Sequence, residues 1–128
     1  MSLTNSFETS VLTWLLTNGT PSPVRPTAWH LGLFTAAPGE SGGGTELSGS
    51  GYARQSITFT VSGNNASNNA AIEFPTASGS WGTITHVAVF DASTSGNMIA
   101  YASLTASKTI DTGDVLRVPT GDLDITLD

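Results

Sequence analysis

The chain has 128 residues, enough for one domain with its own core and too few for a second domain of ordinary size. Ten acidic residues stand against four basic ones, which gives a net charge of −6 at pH 7, and there is no cysteine. This composition excludes disulfides and thiolate metal sites, and it argues against nucleic-acid binding, which depends on clustered lysine and arginine. We therefore expect residues 1–128 to form a single domain without a nucleic-acid partner.

One helix is predicted near the N-terminus, over about residues 5–17. Asn5 and Glu8 have the spacing of a capping box, and Asn18-Gly19 supplies a left-handed stop. The helix carries apolar residues at helical spacing: Phe7, Val11, Trp14 and Leu15, with Leu12 and Leu16 widening the stripe. This stripe requires a cover, which is either the domain's own sheet or a partner chain.

The remainder, from about residue 27 to residue 128, is predicted to be β-structure. Short segments with alternating or apolar patterns are separated by turn residues. The segments are Trp29–Phe34, Tyr52–Val61, Ala70–Phe74, Ile84–Phe90, Met98–Leu104, Val115–Val118 and Leu123–Leu127. About seven short antiparallel strands of this kind are typical of a β-sandwich or a barrel-like domain.

The alternation also predicts which side chains face the core. In the first segment Trp29, Leu31 and Leu33 share one face. In the second, the inward set is Ala53, Ile57, Phe59 and Val61, and the outward set is Arg54, Ser56, Thr58 and Thr60. The fourth and fifth segments are predicted to form a hairpin around the turn at residues 91–97.

Two loops are conspicuous. Residues 36–51 are rich in glycine, including Gly42, Gly43 and Gly44, and are long for a hairpin connection. This loop is either a binding element on a rigid scaffold or a disordered excursion. Residues 63–69 are predicted to be a tight polar turn.

Catalytic motifs are weak in this sequence. Asp111-Thr112-Gly113 matches the core triplet of aspartic proteases, but the following Asp114 would add like-charge repulsion to a shared proton. A turn between strands accounts for the triplet equally well. His30 and His86 have no nucleophile motif beside them. We therefore expect no catalytic residue and no enzymatic activity.

Metal and cofactor sites are not indicated either. Asp122, Asp124 and Asp128 share one face of the last predicted strand, but they do not resemble a calcium loop. A solvated acidic edge that discourages aggregation explains them better. Gly42-Gly43-Gly44 lacks the lysine of a phosphate-binding loop. We expect no cofactor and no metal.

Trp81 lies in a turn of small residues, Ser78-Gly79-Ser80-Trp81-Gly82. Its indole is either an exposed platform for a ligand or a plug for the open end of the sandwich, and we favour the plug because an indole buries about 150–250 Å². The candidate partner-binding residues are Trp14, Gly42, Gly43, Gly44 and Trp81.

Three blocks of the sequence are distinctive as text. They are residues 25–38 (RPTAWHLGLFTAAP) with the glycine loop and GYARQ at 51–55, residues 81–91 (WGTITHVAVFD), and GDVLRVP at 113–119 through to the end. Together they resemble a family of small structural proteins of tailed bacteriophages, often labelled tail-fibre proteins. The resemblance implies a virion structural role, and it carries no catalytic or cofactor residue to this chain.

Size and acidity are also similar in type to those of capsid decoration (cement) proteins, which commonly bind phage heads as trimers. The chain has neither long repeats nor a coiled coil to give a fibre its length, which favours the head surface. We therefore expect a decoration protein that binds the major capsid protein or neighbouring virion proteins as a homo-oligomer, with a trimer favoured. The alternative is a tail-tip or tail-fibre component that binds host glycan.

Location follows from the same features. The first residues lack the basic and apolar parts of a signal peptide, and no apolar run approaches the roughly 20 residues of a membrane span. We expect a soluble virion protein made in the cytoplasm of the bacterial host, with no membrane partner.

Overall fold

The computed structural model describes residues 1–127, which are mainly β with one helix near the N-terminus. The elements are β1 Ser2–Leu3, α1 Asn5–Leu16, β2 His30–Ala36, β3 Thr45–Glu46, β4 Gln55–Ser56, β5 Phe59–Ser62, β6 Asn65–Asn68, β7 Ile72–Glu73, β8 Gly82–Phe90, β9 Met98–Ile110, β10 Arg117–Val118 and β11 Asp124–Thr126. The predicted class is confirmed. The antiparallel sheets stay open and do not close into a barrel.

The main sheet has the strand order β1-β9-β8-β2-β3, with β4 also paired to β2. Its centre is the predicted hairpin of β8 and β9, in which Val87 lies opposite Ala102 and Val89 opposite Ala100. Strand β2 runs antiparallel to β8 with Leu31 opposite Val89. The longest apolar segments of the sequence thus lie side by side in the middle of the sheet, where both faces are covered.

Two smaller sheets cover one face of the main sheet. One has the order β11-β6-β5 and the other pairs β10 with β7. Between the layers lies the core, whose fully buried members include Leu31, Leu33, Phe74, Ile84 and Val89. The predicted inward positions of β2 are therefore confirmed for both leucines, and Trp29 is half-buried against the same core.

The segment predicted as one strand from Tyr52 to Val61 is instead two strands. Strand β4 pairs with β2 in the main sheet, whereas β5 pairs with β6 in the smaller sheet. The chain changes layers at Ile57, which is buried between them. The inward assignment is wrong for Ala53, which precedes β4, and for Val61, which lies in β5 at the edge of its sheet, because both are exposed.

The asparagine-rich segment is not a simple turn, as predicted, but contains β6, the middle strand of its sheet. Asn68 is only 1% exposed and holds three chain segments together. Its Nδ2 donates to the carbonyls of Ala70 at 2.9 Å and Pro119 at 3.0 Å, and its Oδ1 accepts from the Leu123 amide at 2.9 Å. These side-chain bonds stabilise a segment that strand propensity alone disfavours.

Replacing Asn68 by aspartate is expected to lower the free energy of unfolding by about 2 kcal/mol. The side chain keeps its shape, but a carboxylate oxygen would face the Ala70 and Pro119 carbonyls in place of the donor. Urea unfolding at pH 7 measures the change. Asn69→Asp, at the exposed neighbouring residue, is the matched control and is expected to change little. Equal effects of the two substitutions would contradict this role of Asn68.

Both ends of α1 differ from the prediction. The cap residue is Thr4, not Asn5, and its hydroxyl donates to the Met98 carbonyl at 2.7 Å instead of capping the helix. The last helical residue is Leu16, and the C-cap residue Thr17 has an extended backbone. The amide and the hydroxyl of Thr17 both donate to the Thr13 carbonyl. Gly19 therefore does not form the predicted left-handed stop. Thr4 ties the start of the helix to β9 because its amide also bonds to Ile99.

Candidate interaction surface

The second half of α1 is apolar and exposed. Phe7 and Ser10 are the buried residues of the helix, whereas Trp14 is 69% exposed. We define the helix patch as the apolar residues Leu12, Trp14, Leu15, Leu16 and Val24, all between 57% and 72% exposed, of which Trp14 and Val24 line the groove beside the helix. Of the predicted apolar stripe, the domain's own sheet therefore covers only the beginning.

The helix patch borders a groove of about 410 Å³ between the helix and the segment that follows it. The groove is lined by Phe7, Val11, Trp14 and the residues Pro21, Pro23, Val24, Arg25 and Pro26. The Ser10 hydroxyl donates to the Pro23 carbonyl at 2.8 Å, which fixes this segment against the helix. No charged residue occurs between Glu8 and Arg25. Apart from Arg25 at the border of the groove, the region is thus an uncharged apolar surface on an acidic protein.

The glycine loop is folded, so the hypothesis of a disordered excursion is wrong. Gly39 and Gly42 exchange backbone hydrogen bonds of 2.8 and 2.9 Å, and β3 pairs with β2. Gly44 has a φ of +75°, and a Cβ there would lie 2.7 Å from the Ala36 carbonyl oxygen. Gly43, in contrast, faces open space. The loop is a hairpin lying along the main sheet, with Glu40 and Ser41 at its tip between the bridged Gly39 and Gly42.

Arg54 locks this hairpin to the sheet. Its Nε and Nη2 donate to the two carboxylate oxygens of Glu46 at 2.8 and 2.7 Å. Its Nη1 donates to the carbonyls of Ala92 and Ser95 in the β8–β9 turn, and its guanidinium lies 3.5 Å from the centre of the Phe90 ring. The Arg54 side chain is 8% exposed. It therefore joins two loops across the outer face of the main sheet.

Tyr52 completes this cluster. Its hydroxyl donates to Glu46 at 2.6 Å and accepts from the Leu33 amide at 3.0 Å. Burial opposes ionisation of Glu46, but hydrogen bonds from Arg54 and Tyr52 and the charge of Arg54 outweigh it, so the pKa of Glu46 is lowered. Burial and the hydrogen bond to Glu46 raise the pKa of Tyr52. The cluster is a neutral tyrosine beside a tightly paired carboxylate.

Acid is expected to weaken the protein through Glu46. A carboxyl group whose pKa is lowered by folding stabilises the folded state above its ordinary value of 4.5, and this stabilisation is lost as the pH falls through the lowered pKa. Urea unfolding between pH 7 and pH 3 measures the free energy of unfolding of wild type and Glu46→Gln. The difference between the two proteins is expected to be largest at pH 7. The difference should shrink below pH 4.5. Parallel curves for the two proteins would contradict it.

A second groove, of about 620 Å³, lies between the glycine hairpin, the start of α1 and the β8–β9 turn. Its floor includes Phe34 and Phe90, whose rings are stacked with their centres 6.1 Å apart. Both rings are buried, and the charged groups of Glu46 and Arg54 in its wall are already paired. Gly42, Gly43 and Gly44, singled out from the sequence, lie in this wall and away from the helix patch.

Trp81 is not on the surface. It is 4% exposed, its Nε1 donates to the Ser50 carbonyl at 2.9 Å, and its ring meets Tyr52 and Phe74 edge to face. The structure agrees with the interpretation of Trp81 as a plug. Trp81 is therefore not accessible as the partner-binding residue that the sequence suggested, because the core encloses its indole.

The acidic residues considered from the sequence occupy turns and a sheet surface. Asp111 and Asp114 form one turn in which the Asp114 carboxylate accepts from the Asp111 amide at 2.9 Å. Asp124 accepts hydrogen bonds from Ser67 and Asn65 across β11 and β6, which lower its pKa. Asp128 lies outside the described residues. Within residues 1–127, no three histidine or acidic side chains cluster as ligands for a metal ion.

Within residues 1–127, no helix combines the length and the apolar character that crossing a bilayer requires.

Comparison with known proteins identifies a family. No curated protein matches the chain. The family described as podophage GP4 fiber I protein gp80 matches residues 2–126, which is nearly the whole sequence. The match includes α1, all three sheets and the helix patch. The chain therefore belongs to this family of podophage fibre proteins and is a structural protein of the bacteriophage virion.

Proposed function

We propose that this protein is a fibre component of the virion and that it works by binding another virion protein chain through the helix patch, without catalytic turnover. The observation that carries the proposal is the uncovered apolar half of α1. The family match over residues 2–126 supports a location in the fibre. The sequence features had favoured the head surface instead.

The physical argument starts from the helix itself. A helix in a folded domain normally turns its apolar residues toward the core and its polar residues toward water. Phe7 and Ser10 face the domain, but Leu12 and Leu16 lie on the opposite side of the helix. Full burial of one leucine side chain contributes about 1.5–3 kcal/mol. An exposed group of such side chains marks an interaction site on a soluble protein.

Glycan binding is less well supported. A glycan site of this kind would need an exposed aromatic ring, such as that of Trp81 or Tyr52, beside free carboxylates. Trp81 is buried, and the Tyr52 hydroxyl is already bonded to Glu46 and Leu33. These residues offer no open ring face with free polar groups beside it, so the proposal assigns the contact to protein.

Immunogold electron microscopy of purified particles tests the location. Particles that carry an epitope-tagged copy of the chain are expected to bind gold along their fibres. Gold distributed over the head surface would favour the decoration role instead, and particles without gold would contradict a virion role altogether.

A second arm tests the surface. The double substitution Leu15→Gln/Leu16→Gln removes two exposed leucines while keeping helix propensity. It is expected to reduce incorporation into particles at least tenfold, as measured by quantitative immunoblotting. Val115→Thr, at an exposed apolar residue outside the patch, is the matched control and is expected to be incorporated normally. Equal incorporation of both variants would overturn the assignment of the surface.

A further inference from the structure

The partner of the helix patch can be inferred from its charge. We propose that the helix patch of one copy packs against the helix patch of a second copy, so that the protein assembles with itself through α1. This inference rests on the proposed function and names the partner at the same surface.

The first argument is electrostatic. Each copy carries a net charge of −6, so most approaches of two copies bring carboxylates together. The helix patch lies in the uncharged stretch between Glu8 and Arg25. Two copies that meet there bury apolar side chains, with Glu8, the exposed charge one turn before Leu12, at the end of the contact. A basic partner, in contrast, would gain nothing from an uncharged surface.

The second argument is the layout of the surface. Leu12, Leu15 and Leu16 have the three- and four-residue spacing with which one helix packs along another. Threonines flank them along one side: Thr9 and Thr13 on the helix and Thr17 directly after it. An apolar centre with a polar, uncharged rim is the usual composition of a contact between protein chains. Trp14 lies around the helix from the leucines, where its exposed ring borders the groove, and tryptophan is enriched among residues that dominate binding energy.

The third argument is that the chain does not cover the patch itself. The segment after the helix is already fixed by the bond between Ser10 and Pro23, and Val24 within it is exposed together with the leucines. The glycine hairpin is held at another place by Arg54. A contact of about 800 Å² per partner, the usual size, would combine the patch with its threonine rim.

Cysteine cross-linking is the most direct test, because the chain has no cysteine of its own. Leu12→Cys and Leu16→Cys, made singly, place one thiol in the helix patch. Mild oxidation is expected to give covalent dimers in high yield with at least one of them. Thr105→Cys, at an exposed residue of β9, is the control for random collision and is expected to give few covalent dimers. Equal yields from the patch and control thiols would overturn the proposal.

Sedimentation velocity supplies a second readout on the full chain. Wild type is expected to associate, and Leu15→Gln/Leu16→Gln is expected to raise the dissociation constant at least tenfold. Val61→Thr changes an exposed valine that lines a different apolar groove, with Trp29 and Ile125, and is expected to leave association unchanged. If Val61→Thr weakened association and the leucine substitutions did not, the contact would lie at that groove and the proposal would be wrong.

Salt distinguishes a second copy from a charged partner. Raising sodium chloride from 0.05 to 0.5 M screens the repulsion between acidic copies, so association with itself is expected to strengthen. Weakening by salt would contradict the proposal, because it would indicate attraction between opposite charges.

The inference and the proposed function can fail separately. A wild-type chain that stays monomeric at high concentration, while the leucine substitutions still block incorporation into fibres, would overturn self-association and leave the fibre role intact. If association were lost in the leucine variants but the protein were absent from purified particles, self-association would stand and the fibre role would be overturned.

Discussion

Replacing Trp81 by alanine is expected to lower the free energy of unfolding by about 3–5 kcal/mol, the usual cost of removing a buried aromatic ring. The ring packs edge to face against Tyr52 and Phe74, which stack on each other, and it is 4% exposed. Its loss would also remove one of the two hydrogen bonds that the Ser50 carbonyl accepts, the other coming from the Ser78 amide. For a protein of this size such a change is a large share of the total stability.

Urea unfolding followed by far-ultraviolet circular dichroism measures this change. Trp14→Ala is the matched control, because it removes the same side chain from a position that is 69% exposed. At concentrations where the chain is monomeric, it is expected to change stability by less than about 0.5 kcal/mol. If Trp81→Ala abolished adsorption to the host while leaving stability unchanged, the ring would be a ligand platform after all.

Replacing Arg54 by methionine is expected to cost about 3 kcal/mol, because it leaves the partly buried carboxylate of Glu46 without its ion-pair partner. It also removes the two hydrogen bonds to the β8–β9 turn and the stacking of the guanidinium on Phe90. The methionine keeps most of the apolar stem, so lost packing contributes little.

A double-mutant cycle with Glu46→Gln separates these contributions. The two single substitutions are expected to be non-additive, since Glu46→Gln removes the charge that Arg54→Met leaves unpaired. Arg117→Met is the control, because Arg117 is exposed. It is expected to be nearly neutral. Full additivity in the cycle would show that the pairing of Arg54 with Glu46 contributes no stability.

The sequence was sufficient to predict the elements whose pattern is local. The hairpin of β8 and β9 and the inward leucines of β2 follow from alternation and apolar composition. It failed where a distant contact decides the structure. Asn68 belongs to a strand because the Ala70 and Pro119 carbonyls and the Leu123 amide satisfy its amide group, and no local pattern of asparagines indicates this.

The candidate site shows the same limit. Trp14 and its neighbouring leucines were recognisable as an apolar stripe, but the stripe alone does not say which chain covers it. Arg54 was correctly predicted to point away from the main core. Its near-complete burial was not predictable, since it depends on the glycine hairpin that folds over the outer face of the sheet.

Electron cryomicroscopy of the intact virion tests the central claim most directly, at a resolution where α1 can be traced. The expected result is density for this protein in the fibres, with Leu12, Leu15 and Leu16 enclosed by the same helix of another copy. A fibre subunit whose α1 faces solvent in the assembled particle, or fibres that lack this chain altogether, would contradict it.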